Sequence, residues 1–187
     1  MKPIFVTSNE NKAREAARIL GVELDHAGPE IPEIQSLDIA EVAAAKALSA
    51  RDALREPPRL VVVEDSGLVV ETWGGLPGAF TKWFLAGVGV DGLLRMLHGW
   101  EDRTARAVCV VAIADTDGQV RTFTGEVRGS IARKARGSNG FGWDPIFIPE
   151  GQKLTYAEMG DAKHEDSHRA RAFRAAGQWL VGSAGSS

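Results

Sequence analysis

The chain has 187 residues, enough for one domain that buries roughly two-thirds of its unfolded surface. With 44% hydrophobic and 25% charged residues and a formal net charge of -3, it is neither a basic nucleic-acid coat nor a cationic membrane binder. No apolar run reaches the length of a membrane span, Met1-Lys2-Pro3 leads straight into a strand, and Cys109 is the single cysteine, so the composition reads as a cytoplasmic protein with no internal disulfide.

Ile4-Phe5-Val6 predicts a short strand running into the polar stretch Thr7-Ser8-Asn9-Glu10-Asn11-Lys12. A helix follows, with Ala13, Ala16, Ile19 and Leu20 on its apolar side, Ser8 or Asn9 as N-cap and Gly21 as its stop. Strand, polar loop and helix start leave backbone N–H groups and the positive helix end aimed at one point, an anion site to which Lys12 adds a full charge. The Walker pattern is absent, and an ordinary capped helix with an exposed lysine is the plainer alternative. Gly28-Pro29 and Ile31-Pro32-Glu33-Ile34-Gln35 form an extended connector. Asp38 and Glu41 then open a capping-box helix to about Leu54, with Ile39, Val42, Ala43, Ala47, Ala50 and Leu54 as its apolar stripe. Lys46 falls close to that stripe, where it either snorkels outward or reaches a buried anion; Pro57-Pro58 ends the region.

Leu60-Val61-Val62-Val63 predicts a strand buried on both faces, in the middle of a sheet. Glu64, Asp65 and Ser66 come at its end, and Gly67 gives the chain freedom to turn. Two adjacent carboxylates at the mouth of a buried strand are costly unless a cation or a reacting proton uses them, the alternative being a solvated junction where both face water. Trp73-Gly74-Gly75-Leu76-Pro77-Gly78 is a loop for close backbone approach or a tight turn. A helix from Ala79 to about Ala86 carries Lys82, Trp83 and Phe84, and Gly87 and Gly89 break it from another at Asp91 to Leu97. Arg103 to Ala114 and Val120 to Ile131, joined through Asp117-Gly118, predict a long antiparallel hairpin as a second lobe. Gly137 to Pro145 is a glycine-held loop bearing Phe141, Gly142, Trp143 and Asp144, and Ile146-Phe147-Ile148 a short strand. A last helix from about Ser167 to Val181 packs through Ala170, Phe173, Ala176 and Leu180, with 182–187 as a disordered tail.

Charge is uneven: the early part is acidic, with Glu23, Asp25, Glu30, Glu33, Asp38 and Glu41. The later part is basic, with Arg128, Arg133, Lys134 and Arg136, then Lys163, His164, His168, Arg169, Arg171 and Arg174. An anion loop, oxygen ligands at Glu33 and Asp65 for a divalent cation, an aromatic face at Phe141 and a basic helix start at Lys163 to Arg169 together describe a nucleotide site. A rival lies in His164-Glu165-Asp166-Ser167-His168, which matches the zinc-peptidase pattern H-E-x-x-H and requires both histidines on one helical turn. A second rival is a nucleotide sensor without hydrolysis.

The chain resembles the inosine triphosphate pyrophosphatase family from Phe5 to about Leu180. The resemblance is carried by Thr7-Ser8-Asn9 with Lys12, Glu64-Asp65-Ser66-Gly67, Gly74-Gly75-Leu76-Pro77-Gly78, Gly140-Phe141-Gly142-Trp143-Asp144-Pro145, Thr155-Tyr156-Ala157-Glu158-Met159 and Ser167-His168-Arg169. Ser8 stands where the family usually has glycine, and Glu64 where many members have aspartate. The resemblance implies an elongated, two-lobed single α/β domain over 1–187, with a long mixed sheet flanked by helices, a central cleft and a homodimeric assembly. It implies Mg²⁺-dependent hydrolysis of non-standard purine nucleoside triphosphates (ITP, dITP, XTP) to monophosphate and pyrophosphate. Asp65 would then be the base or metal-bound water activator, with Glu33 as the second metal ligand. Lys12 and the segment Thr7, Ser8, Asn9, Glu10 and Asn11 would hold phosphates, beside Ser66, with Lys46 and Lys82 assisting. Phe141 would stack on the purine, Gly142, Trp143 and Asp144 would shape the pocket, and Lys163, His168 and Arg169 would read the base edge.

Overall fold

The computed structural model of the chain describes residues 2–8, 12, 16, 19, 20, 23–54 and 59–184, without the side chains of 183 and 184. The expected stop at Gly21, the Pro57-Pro58 break and residues 185–187 lie outside that set. Seven strands make one mixed sheet among the described residues: β1 (Ile4–Val6), β2 (Asp25–Ala27), β3 (Val61–Val70), β4 (Pro77–Gly78), β5 (Thr104–Ala114), β6 (Val120–Ile131) and β7 (Phe147–Pro149). Their order is β2-β1-β3-β5-β6-β7, with β4 paired to β3. β1 lies parallel to β2 and β3, and every other pair is antiparallel.

The central strand does not end where expected. β3 continues through the acids to Val70, paired with β5 over its whole length from Val61↔Ala114 to Val70↔Ala105. On its other edge β1 covers only Val61 and Val62, and β4 covers only Leu68 and Val69. Residues 63–67 thus have one edge without a strand partner among the described residues. The strand that ends beside the acids is therefore β1, not β3. Nor does Gly67 turn the chain. A Cβ there would sit 2.2 Å from the Gly78 carbonyl oxygen and 2.8 Å from Cδ1 of Ile39, so glycine is required by the close crossing of β4. Gly67→Ala is expected to destabilise the fold by about 1–3 kcal/mol through overpacking, read as a lower urea midpoint with unchanged slope. The glycine-rich loop after β3 takes the tight-turn option: it folds back as β4, with the Val70 N–H donating to the Leu76 carbonyl.

Strand alternation sends neighbouring β3 side chains to opposite faces. Val61, Val63 and Val69 pack with β5 residues Val108, Val110, Ala112 and Ala114 under helix α1 (Ile39–Leu54), through Ile39, Ala43, Ala47 and Ala50. Val62 takes the other face with Cys109, Val111 and Ile113, beneath helical residues Ala16 and Leu20 and the last helix, through Ala172, Phe173, Ala176 and Leu180. Leu68 and Val70 continue that face into a further cluster with Leu93, Leu97, Trp143, Phe147 and Tyr156. Here pack α2 (Thr81–Met96), kinked at Gly89 as the sequence predicts, and the short α3 (Tyr156–Met159). The last helix, α4 (His168–Ala184), runs past its expected end at Val181.

Two local expectations change form. Asp38 caps α1 by accepting from the Ala40 N–H at 2.8 Å. Glu41 does not close the box itself, because Ser36 stands between them, donating to Glu41 and accepting from the Asp38 N–H. The hairpin β5–β6 is not a separate lobe. Its residues enter all three apolar clusters, so it is the spine shared by both halves of the molecule.

Candidate active site

Because adjacent residues of a strand point apart, Glu64 and Asp65 occupy different environments. Glu64 lies on the α4 face, only 2% exposed, and is held by cations on two sides. Arg169 grips it through Nε (2.5 Å) and Nη2 (3.1 Å), and Nζ of Lys12 reaches the same carboxylate at 2.6 Å. Ser66, two residues on and on the same face, donates to Glu64 at 3.1 Å and accepts from Arg169 at 3.4 Å. Burial pushes the Glu64 carboxyl upward, but the Arg169 guanidinium and the Lys12 ammonium outweigh it and hold the group well below the usual carboxylate range. The solvated junction, with both acids facing water, is therefore not what forms.

Asp65 is half-buried and makes no side-chain hydrogen bond or ion pair with another described residue. Burial raises its pKa, opposed by the charges of Lys12 and Lys46 and reinforced by Glu33 and Glu64. Glu33 comes to this side from the connector. Lys46 of α1 donates to it at 2.7 Å, so this lysine takes the anion-reaching option; Lys82 of α2 lies at 3.5 Å. Burial alone would raise Glu33, but the hydrogen bond and charge of Lys46, with Lys82, keep it lowered.

The third part is a small pocket lined by Phe141, Trp143, Asp144, Lys163, Ser167, His168 and Arg169. Its floor is fixed by Asp144, which accepts from the Phe141 N–H (2.8 Å) and from Lys163 Nζ (2.7 Å). Lys163 and Arg169 lie over the Phe141 ring at 5.3 and 5.1 Å. The imidazole of His168 stacks on Tyr156 at 5.8 Å and tilts against Trp143 at 6.1 Å. Burial, with the nearby Arg169 charge, pushes His168 down to about 3, so the ring is neutral at physiological pH. The start of α4 lies against the sheet because β6 offers Gly125 there; a Cβ would meet the His168 carbonyl oxygen at 2.0 Å. Ser167 caps the helix, accepting from the Ala170 N–H at 3.1 Å.

Residues 3–179 match the model of the Ham1 family. The chain belongs to that family. It is 42% identical over 183 residues to the dITP/XTP pyrophosphatase of Methanopyrus kandleri, covering 96% of each chain. It is 40% identical over 185 residues to the inosine triphosphate pyrophosphatase of Kluyveromyces lactis, covering 95% of this chain and 94% of the other. The solved structure of the Staphylococcus aureus Ham1 protein superposes with a TM-score of 0.83 at 29% identity, over 97% of this chain and all of that one.

Within this Ham1 fold the sequence-predicted residues converge on one region. Lys12, Glu64, Ser66 and Arg169 form a connected network, Asp65, Glu33, Lys46 and Lys82 form its neighbour, and Phe141, Trp143, Asp144, Lys163 and His168 share the pocket with Arg169. Thr7 is half-buried at the end of β1, its carbonyl bound by His26 Nε2 at 2.9 Å, and Ser8 is exposed. Gly142 takes a positive φ of 63° beside Leu85. Asn9, Glu10 and Asn11 lie outside the described residues. The zinc-peptidase pattern is not realised, since His164 belongs to a 3-10 turn (Gly160–Glu165) while His168 opens α4. Among the described residues no three potential metal ligands cluster in that way, and no helix is long and apolar enough to cross a membrane. Sequence reasoning missed Glu64 as the shared anchor of Lys12 and Arg169, and Tyr156 as the stacking partner of His168. It also missed the capping box of α3, legible as Thr155-x-x-Glu158.

Proposed function

We propose that the chain is a Mg²⁺-dependent pyrophosphatase that hydrolyses inosine, deoxyinosine and xanthosine triphosphates to the monophosphate and pyrophosphate. The observation that carries this reading is that one buried carboxylate, Glu64, ties the phosphate-side Lys12 to the pocket-side Arg169, with Asp65, which has no side-chain partner among the described residues, next in the chain. A single triphosphate can thus span the lysine, the acid and the aromatic pocket. The dITP/XTP and inosine triphosphate pyrophosphatases among its relatives support the substrate class.

Asp65 is the base. Its raised pKa suits it to take the proton of a water attacking the α-phosphorus. Lys12 holds negative charge on the phosphates, and Phe141 offers a ring for stacking. Glu33 and Asp65 would fit a divalent cation: both are hard oxygen donors, the charge of Glu33 acts on Asp65, and Mg²⁺ takes one or two carboxylates while keeping waters and substrate oxygens. Bound there, the ion supplies charge stabilisation to the phosphate oxygens. Lys46 and Lys82 keep Glu33 ionised and oriented for that task.

The test is a product assay on ITP, XTP, dITP and ATP with Mg²⁺, and again with EDTA. Pyrophosphate and monophosphate from the first three, little turnover of ATP and none with EDTA are expected. Orthophosphate release or equal use of all four overturns the reading. The chain is further proposed to act in the cytoplasm as a homodimer. Trp83, 62% exposed on α2 with the half-buried Trp73 and Phe84, supplies interface aromatics. A monomer in sedimentation velocity would end that part.

A further inference from the structure

β1 and β2 run parallel, in the register Ile4↔Asp25, Phe5↔His26 and Val6↔Ala27. In such a pair the hydrogen bonds are evenly spaced, and the two strands donate in turn. The Asp25 N–H serves the Pro3 carbonyl at 3.0 Å, and the Thr7 N–H serves the Ala27 carbonyl at 2.9 Å. Positions 25, 27 and 29 are thus those whose N–H groups would face the carbonyls of residues 3, 5 and 7. Position 29 is proline, which has no N–H to give. The ladder therefore offers the Thr7 carbonyl no donor, and a side chain takes that place: Nε2 of His26 reaches it at 2.9 Å. A carbonyl can only accept, so this nitrogen carries the proton. Gly28 leaves room for the contact, since a Cβ there would stand 3.2 Å from the same oxygen.

We propose that His26 is a positioning residue for triphosphate binding: by holding the Thr7 carbonyl toward β2, it turns the N–H of the same peptide unit, that of Ser8, toward the phosphates. This rests on the pyrophosphatase reading above and adds to it a residue on the far side of β1 from the acids. The C=O and N–H of a trans peptide point in opposite directions. β1 lies between β2 and β3, so a carbonyl directed at β2 sends its N–H to the β3 side. Alternation along the strand agrees. The Ile4 N–H donates to the Leu60 carbonyl on that side at 2.9 Å, and Ser8 stands four residues further on. There β3 presents residues 63–67, Glu64 and Asp65 among them, on an edge without a strand partner among the described residues. A backbone N–H facing that gap is a donor for an anion, beside Nζ of Lys12, which lies 2.6 Å from Glu64. Without the imidazole the peptide can turn the other way, and its carbonyl oxygen would then repel a phosphate.

The experiment compares the unaltered protein with His26→Leu, which removes the donor, and His26→Gln, whose side-chain amide can replace it. Two quantities are measured in excess Mg²⁺: kcat/KM for inosine triphosphate, and the inhibition constant of inorganic tripolyphosphate, a probe with phosphates and no base. His26→Leu is expected to weaken both by about threefold to tenfold, the range of one hydrogen bond in water, and His26→Gln to restore most of the loss. His26 is exposed, so both variants are expected to fold with urea midpoints near that of the parent. Full kcat/KM with unchanged tripolyphosphate inhibition in His26→Leu overturns the proposal. So does an equal loss in the two variants, which assigns the effect to the ring's packing and not to its N–H. A loss of turnover without a change in tripolyphosphate inhibition puts the effect away from the phosphates and overturns it too. In each of these cases an unaltered protein that releases pyrophosphate from inosine triphosphate keeps the pyrophosphatase reading. One that releases none overturns that reading, and the role of His26 with it.

Discussion

Asp65→Asn is expected to lower kcat by about 10²–10⁴-fold at neutral pH, the usual contribution of a positioned general base, while raising resistance to thermal unfolding. The two effects share a cause. Burial, against the pull of Lys12 and Lys46, leaves the Asp65 carboxyl with a raised pKa. The folded chain therefore binds this proton more tightly than the unfolded chain does. Stability from the protonated acid is complete below the 3.8 of an unfolded aspartate and is lost as pH rises through the higher folded value. At neutral pH the ionised group is a net cost, which the neutral amide removes. The acid limb of kcat/KM for the unaltered protein should correspondingly lie above 3.8 and vanish in the variant. A variant that melts lower than the parent, or that keeps its activity, would refute the role given to this residue.

Glu64→Gln is expected to have the opposite signature: a large loss of stability, about 3–5 kcal/mol in urea at neutral pH, as when one partner of a buried ion pair is removed. The amide keeps the shape but leaves the Arg169 guanidinium and the Lys12 ammonium facing each other without the carboxylate between them. The pH dependence has a definite sign. Despite burial, Arg169 and Lys12 depress the Glu64 carboxyl, so its stabilisation is full above the 4.5 of an unfolded glutamate and fades as pH falls through the lower folded value. The parent should lose stability on acidification below that point, and Glu64→Gln should lose less over the same range. Urea midpoints at neutral and acid pH decide it. If both proteins show the same acid slope, Glu64 is not the anchor described above.

The element boundaries were legible where periodicity was strong. The α1 stripe, the β5–β6 hairpin, the break at Gly89 and the helix start at Ser167-His168 all follow from apolar spacing and turn residues. The end of β3 was misread for a physical reason. Polar residues in mid-strand look like a loop, and nothing local to Glu64-Asp65-Ser66-Gly67 reveals that β5 pairs past them to Val70. One consequence was available in advance. Two consecutive strand residues face opposite ways, so Glu64 and Asp65 were bound to have separate partners. The site residues were readable as a set from their spaced motifs, whereas their pairing was not. Arg169 is 105 positions from Glu64, and only the fold brings them within 2.5 Å.

The edge at 63–67, without a strand partner among the described residues, bears on how this molecule can deform. That edge is a notch in one side of a continuous ladder. β3, β5 and β6 pass beneath it without interruption, from the cluster at Val61 and Val63 to the cluster at Leu68 and Val70. Any change in the width of the notch would therefore have to bend three hydrogen-bonded strands together.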